Sequence, residues 1–481
     1  MDSHPLDAQS HQPTRNQESD RLLACQLTHD GPGQGHFDEV APLREQVKLA
    51  SPSLPRAHAD IKQASARDCM GESSGPLPRL LVVKGTFEQF GGAERDLLNN
   101  LPAWSDHFEI TVATLNLPQK ARETLDDLGI NYLTPVKQFT VPRGIWAEAR
   151  ALSSRQAIRL WISMLDLTEQ ITGLREVLAN SDAIHVTSGV GSLEFTGLAP
   201  NHLPMHYYCL EPHRGLYEDV LHRTIEGTPK RNLFLTSLLL GKQRRRDQKF
   251  VSRLEKMKNV VISANSSWIQ KRISEIYGVK SQLLLPTVDL SVWKNQSSDD
   301  DSTSIGDYVV TIGAASHVKG TWETIEMLAG TEISLALVGG GDGYDLARLR
   351  ERAEQLEVKL DIQPRLGQDE LVTLVQQALA VVSLAYDEPF GLTPIEAQAA
   401  GTPALMVAEG GFQYTVEDGV SGRMLPRGDW SAWHQALQEA SEASNRESWA
   451  KHGQENIEQM GLTPQNQATR LADILGFSED E

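Results

Sequence analysis

Eight short apolar runs, each about the length of one buried strand, limit what this chain can fold into. The first is Leu80–Val83 in "PRLLVVKGT", bounded by Pro and Gly. Unbroken apolarity, rather than alternation, marks a strand covered on both faces, as in a parallel sheet. Similar runs recur in "FEITVATL", "AIHVTS", "MHYYCL", "VVISA", "YVVTIG", "SLALVGG" and "AVVSLA". The segments between them have helical patterns. In "SSWIQKRISEIYG", Ile269, Ile273, Ile276 and Tyr277 share one face, Ser266 or Ser267 can cap the start, and Gly278 ends the helix. Strands alternating with helices predict an α/β protein with doubly wound parallel sheets.

The series of runs is interrupted once. "KNQSSDDDSTSIGD", Lys294 to Asp307, is polar, acidic and Ser-rich, and reads as a linker. It divides the chain into one α/β unit over 79–290 and a second over 307–462, with 291–306 between them. Two doubly wound domains in sequence leave a cleft facing the C-terminal ends of both sheets. Residues 1–78 have a different texture. They hold eight of the 23 prolines, one Phe, and no Trp or Tyr. So little apolar material predicts a disordered leader.

Composition excludes several classes of function. A net charge of -19 opposes broad nucleic-acid binding, which needs a positive field. Cys25, Cys69 and Cys209 are too sparse for a disulfide framework or a zinc site, and suit a reducing cytoplasm. The start "MDSHPLDAQSHQ" has neither the basic nor the apolar part of a signal peptide. "LFLTSLLLG" is too short to span a bilayer.

Four stretches carry candidate chemistry. In "VVKGTFEQFGGAERDLL", Gly91 and Gly92 lie between a strand and a helix, where backbone amides attract phosphate; a plain turn is the alternative. In "VVTIGAASHVKGTWETIEML", Lys319 precedes a helix and can neutralise a diphosphate, or be a surface lysine. "LALVGGGDGYDLARL" lacks the spacing of the dinucleotide fingerprint and reads as a tight turn. "YDEPFGLTPIEAQAAGTP" is the most informative. Thr393 reads as a helix cap, Pro394 as the first helical residue and Glu396 as a capping-box glutamate. Glu388 has no such structural role. It lies just beyond a strand, in a loop whose Phe390, Gly391 and Leu392 amides lead into a helix and can hold phosphate or sugar hydroxyls.

Together these stretches resemble the retaining glycosyltransferases of family 4, with the GT-B fold. The resemblance covers about residues 79–462. It rests on "GGAER", "VVISANSSWIQKRISEIYG", "LLPTVDL", "VVTIG" with "VKG", "LALVGGGDG", and above all "EPFGLTPIEAQAAGTP" followed by "EGG". It implies that the first domain takes the acceptor and the second a nucleoside-diphosphate sugar, UDP or GDP, with no metal and no other cofactor. Glu388 would lie near the transferred sugar and Glu396 on the ribose hydroxyls. Lys319 and the Gly391 and Leu392 amides would hold the diphosphate, and Gly92 would approach it from the other domain. The leaving diphosphate would help to deprotonate the acceptor, with retention at the anomeric carbon. A closing helix over 463–481, in "PQNQATRLADILGF", would return to the first domain.

Two positions depart from the family pattern. An arginine common after the glycine of "IG" is Ala314 here, with His317 or Arg365 as stand-ins. A histidine common after "YYC" is Leu210 here, which makes His213 the catalytic candidate beside Glu388 and Lys319, although a loop histidine is the simpler reading. These departures keep open a non-catalytic sugar-nucleotide-binding homologue and a nucleotide-sugar epimerase. Finally, residues 241–258 pack eight Lys or Arg into 18 positions of an acidic chain. That segment is either a solvated helix face or a peripheral contact with an anionic membrane or a lipid-linked acceptor.

Overall fold

A computed structural model describes residues 75–88, 91–140, 154–165, 173–294 and 305–477. The leader up to residue 74, with Cys25 and Cys69, lies outside the described residues. All eight apolar runs are strands. Five further strands accompany them: β3 (Asn131–Leu133), β7 (Gln282–Leu283), β10 (Leu360–Gln363), β12 (Ala404–Val407) and β13 (Arg423–Leu425). They form two parallel sheets, ordered β3-β2-β1-β4-β5-β6-β7 and β10-β9-β8-β11-β12-β13. In the first, β1 (Arg79–Lys84) pairs with β2 (Glu109–Thr114) and β4 (Ala183–Thr187), and β5 (Met205–Cys209) with β6 (Val260–Ala264). In the second, β8 (Tyr308–Ile312) pairs with β9 (Ser334–Val338) and β11 (Ala380–Ser383).

The unbroken run of β1 follows from its surroundings. Leu81 and Val83 enter one apolar cluster, while Leu80 and Val82 enter another on the opposite face. Successive side chains of a strand point to opposite faces, so a sheet covered twice needs apolar residues at every position. Part of that second cover comes from the far end of the chain. The helix Pro464–Leu475, capped by Thr463, buries Ala468, Leu471, Ala472 and Leu475 against the helix Gly92–Ser105 and the first sheet.

The polar segment is not where the chain crosses between sheets. The helix Leu290–Lys294 is already part of the second domain: Trp293 is buried in its core, and its carbonyl accepts from the Gln376 side chain. The crossing is Leu284–Asp289, ahead of the expected linker, whose residues 295–304 lie outside the described residues. The return crossing runs beside it, with Val288 N donating to Leu462 O at 3.0 Å. Asp96 fixes this point from the first domain. Its Oδ1 accepts from Thr287 N at 2.9 Å and from Thr287 Oγ1 at 3.0 Å. Loss of water contact pushes the Asp96 carboxyl up to about 6, against the pull of these hydrogen bonds.

Candidate active site

Each sheet reverses its winding between two strands, β1/β4 in the first and β8/β11 in the second, and crevices of such sheets open there. Lys319 and Glu388 come from the loops after β8 and β11. The chain leaves β8 through Gly313 (φ 138°), against which the Lys319 side chain lies. Gly320, also left-handed, packs on Leu384 and starts the helix Thr321–Leu328. Lys319 Nζ thereby reaches Glu388 Oε2 at 2.8 Å. Desolvation alone would raise the Glu388 carboxyl, but the charge and hydrogen bond of Lys319, aided by Arg214, hold it below the usual carboxylate range.

The Glu388 loop is held under constraint. Asp387 has a φ of 44°, uncommon for a residue with a side chain. Glu409-Gly410-Gly411 closes over it. A Cβ on Gly410 would stand 2.6 Å from Glu388 N, and one on Gly411 2.6 Å from the Phe390 backbone. Gly411 N donates to Glu388 O at 2.6 Å. Arg427 fastens the base of the loop, bonding Glu409, Glu323 and the Leu384 carbonyl under the Tyr386 ring.

The helix after this loop starts earlier than the sequence suggested. It spans Leu392–Ala399 with Gly391 as its N-cap, at φ 96°, and no side chain caps it. Thr393, Pro394 and Glu396 therefore do not form a capping box. The cause is tertiary: Gly391 packs so closely on Phe412 and Thr415 that a Cβ there would lie 2.7 Å from Phe412 Cδ1. The chain must turn at Gly391, and helix geometry follows at once. The Phe390 side chain is buried, so only its backbone is available to a ligand. Glu396 loses its structural explanation. Its carboxyl is raised by desolvation and opposed by the charge of Arg95, which reaches over from the helix Gly92–Ser105. Arg95 also lowers Arg365, second to the effect of desolvation. Arg95 of the first domain thus acts on both Glu396 and Arg365 of the second. Nothing in the sequence marked Arg95, because only the docking of the domains brings it there.

The first domain supplies more. Lys84, buried at the end of β1, donates to Ser188 O at 3.0 Å and pairs with Glu94 at 3.1 Å. Glu94 in turn accepts from Gly91 N at 2.7 Å, while Gly92 faces open space. Arg214 spans the domains, bonding Glu218 at 2.7 Å and the Tyr386 carbonyl at 2.8 Å. Ser266 caps the helix Ser267–Tyr277 and donates to Pro389 O. Glu211 also senses the pair. Desolvation pushes its carboxyl up to about 7; Arg214 pulls it down, Glu388 pushes it further up, and Lys319 opposes.

His213 lines a cavity of about 60 Å³ with Glu194, Gln243, Arg246 and Asp247. His317 does not replace the missing arginine charge at Ala314. Desolvation, with Arg223 and Arg427, lowers it to about 4, so the ring is neutral at pH 7. The ring packs on Tyr386 at 4.8 Å and lines a cavity of about 430 Å³ between the domains, with Arg223, Glu226, Trp322 and Glu326. Among the described residues, no three His, Cys, Asp or Glu side chains form a metal cluster.

Known proteins share both the fold and part of the sequence. The D-inositol 3-phosphate glycosyltransferase of Streptomyces coelicolor is 37% identical over 115 residues, which is 23% of this chain and 25% of that protein. The match thus spans about a quarter of that relative. Over nearly the whole fold, the chain superposes on Anabaena Alr3699/HepE, solved in complex with UDP and glucose (TM-score 0.59, 16% identity, covering 83% of this chain and 99% of that one). It also superposes on sucrose-phosphate synthase from Thermosynechococcus elongatus (TM-score 0.62, 15% identity, covering 82% and 98%). At such identities these two likenesses show the fold, which is GT-B. Residues 298–456, the greater part of the second domain, match the sequence profile of the glycosyl transferases group 1 family.

Proposed function

We propose that this protein is a retaining, metal-independent glycosyltransferase that moves a sugar, most simply a hexose, from a nucleoside-diphosphate sugar to an acceptor hydroxyl. One observation carries the reading. Lys319 and Glu388 meet at the switch point of the second sheet, at the free N-terminus of the helix Leu392–Ala399 and within the field of Glu211 and Arg214 of the first domain. The Gly391 and Leu392 amides and Lys319 hold the diphosphate, with Gly92 facing it across the cleft. Glu396 accepts from the ribose hydroxyls. The bond from the anomeric carbon to the phosphate oxygen breaks, and the acceptor oxygen bonds on the same face. Its proton passes to a phosphate oxygen of the leaving diphosphate. Glu388 borders the transferred sugar. His213 contributes at the acceptor side rather than at the phosphates.

The UDP and glucose bound by the Anabaena protein favour UDP over GDP as the leaving group. The test is a panel of UDP-, GDP- and ADP-sugars with analysis of products. Acceptor-dependent release of free diphosphate supports transfer. An epimerised donor would identify an epimerase, and binding without turnover a non-catalytic homologue.

A further inference from the structure

The helix Leu233–Glu255 is anchored to the first domain along one face only. Thr236, Leu240, Val251 and Leu254 are buried, and Arg244 donates to the Leu216 carbonyl. At about 100° per residue, the opposite face is a single stripe. Phe234, Leu235, Leu238 and Leu239 fill its first turns, and Lys242, Arg245, Lys249 and Arg253 continue it. All eight are exposed, Phe234 at 80% and Leu238 at 68%. Of the ten exposed large hydrophobics among the described residues, four are these neighbours, so they are a patch and not scattered side chains.

The patch requires a partner that is apolar at one end of the helix and anionic at the other. A second copy of the chain fits poorly. A two-fold axis across the middle of the helix sets the apolar end of one copy against the cationic end of the other, and an axis along the helix sets cation against cation. An anionic bilayer offers both chemistries at the required depths. No described helix is long and apolar enough to cross a membrane, so the contact is interfacial.

We propose that this face docks on an anionic lipid surface. Phe234, Leu235, Leu238 and Leu239 enter the acyl boundary, and Lys242, Arg245, Lys249 and Arg253 lie on lipid phosphates. The surface therefore begins one to two turns before the basic segment 241–258, and it stands independently of the donor chemistry.

The experiment is cosedimentation of the full chain with phosphatidylcholine vesicles, with and without phosphatidylglycerol. Binding is expected only with the anionic lipid, and it should weaken with salt. Each cation near the surface strengthens binding about fivefold. Lys242→Gln/Arg245→Gln/Lys249→Gln should therefore lose about a hundredfold, and Phe234→Ser/Leu238→Ser at least about tenfold. All five positions are exposed, so unchanged thermal melting should accompany the loss. Equal binding to neutral vesicles, no binding to either, or wild-type binding by both variants would overturn the proposal. So would dimerisation in sedimentation velocity that Phe234→Ser/Leu238→Ser abolishes.

Discussion

Replacing Glu388 with Gln separates two roles that the Lys319–Glu388 pair combines. Gln keeps the volume and one acceptor for Lys319 Nζ, which lies 2.8 Å away. The two side chains are 35% and 21% exposed, so the pair lies between surface pairs, which contribute little, and buried ones. The expected cost is about 1 kcal/mol of stability, a small shift in Tm for a chain of this size. Donor binding should not weaken, because the variant frees the charge of Lys319 for the diphosphate. Calorimetric titration with the donor's nucleoside diphosphate should give an unchanged Kd, or one tighter by up to about fivefold, equivalent to about 1 kcal/mol. Turnover should fall about a hundredfold or more, as when a preorganised group at the reacting centre is removed. Lys319→Ala is the contrast: losing a charge-assisted hydrogen bond should weaken binding of the same ligand about tenfold to a hundredfold. If Glu388→Gln weakens nucleotide binding as much as Lys319→Ala does, or leaves turnover intact, the pair does not divide its work in this way.

Three further outcomes follow from the geometry. Glu396→Ala should leave thermal stability within about 0.5 kcal/mol of wild type, since the residue caps nothing, yet should weaken donor binding about tenfold by titration. Gly391→Ala should cost about 2–4 kcal/mol in denaturant unfolding, combining left-handed strain with the clash on Phe412. The Asp96 carboxyl is raised in the folded state to about 6, so its contribution is full below the unfolded carboxyl range and is lost as pH rises through about 6. Relative to Asp96→Asn, wild type should therefore gain roughly 1 kcal/mol between pH 7.5 and pH 5; a pH-independent difference would mean that Asp96 does not titrate there.

The primary structure determined a great deal here because its strongest signals are local. A sheet covered on both faces needs apolar residues at every strand position, so "LLVV" and its counterparts could be read directly. Ser266 and Gly278 set the ends of one helix through bonds within a few residues. The short strands β3, β7, β10, β12 and β13 were not legible, because two to four residues carry too little pattern. Lys319 and Glu388 stood out by position, each just beyond a strand. Their pairing did not, because 69 residues separate them and only the sheet order brings their loops together. The misplaced linker has a similar cause: acidic, Ser-rich composition marks a loop but not which core the next helix joins, and Trp293 decides that by burial. The helix start at Leu392 went the same way. Thr393 and Pro394 read locally as a sound cap, but Phe412 leaves room only for a left-handed glycine two residues earlier, and that glycine is the N-cap. Arg95, Arg214 and Glu211 reach the cleft only because the two domains meet, and a charge whose partners lie in another domain leaves no trace in its own neighbourhood of the chain.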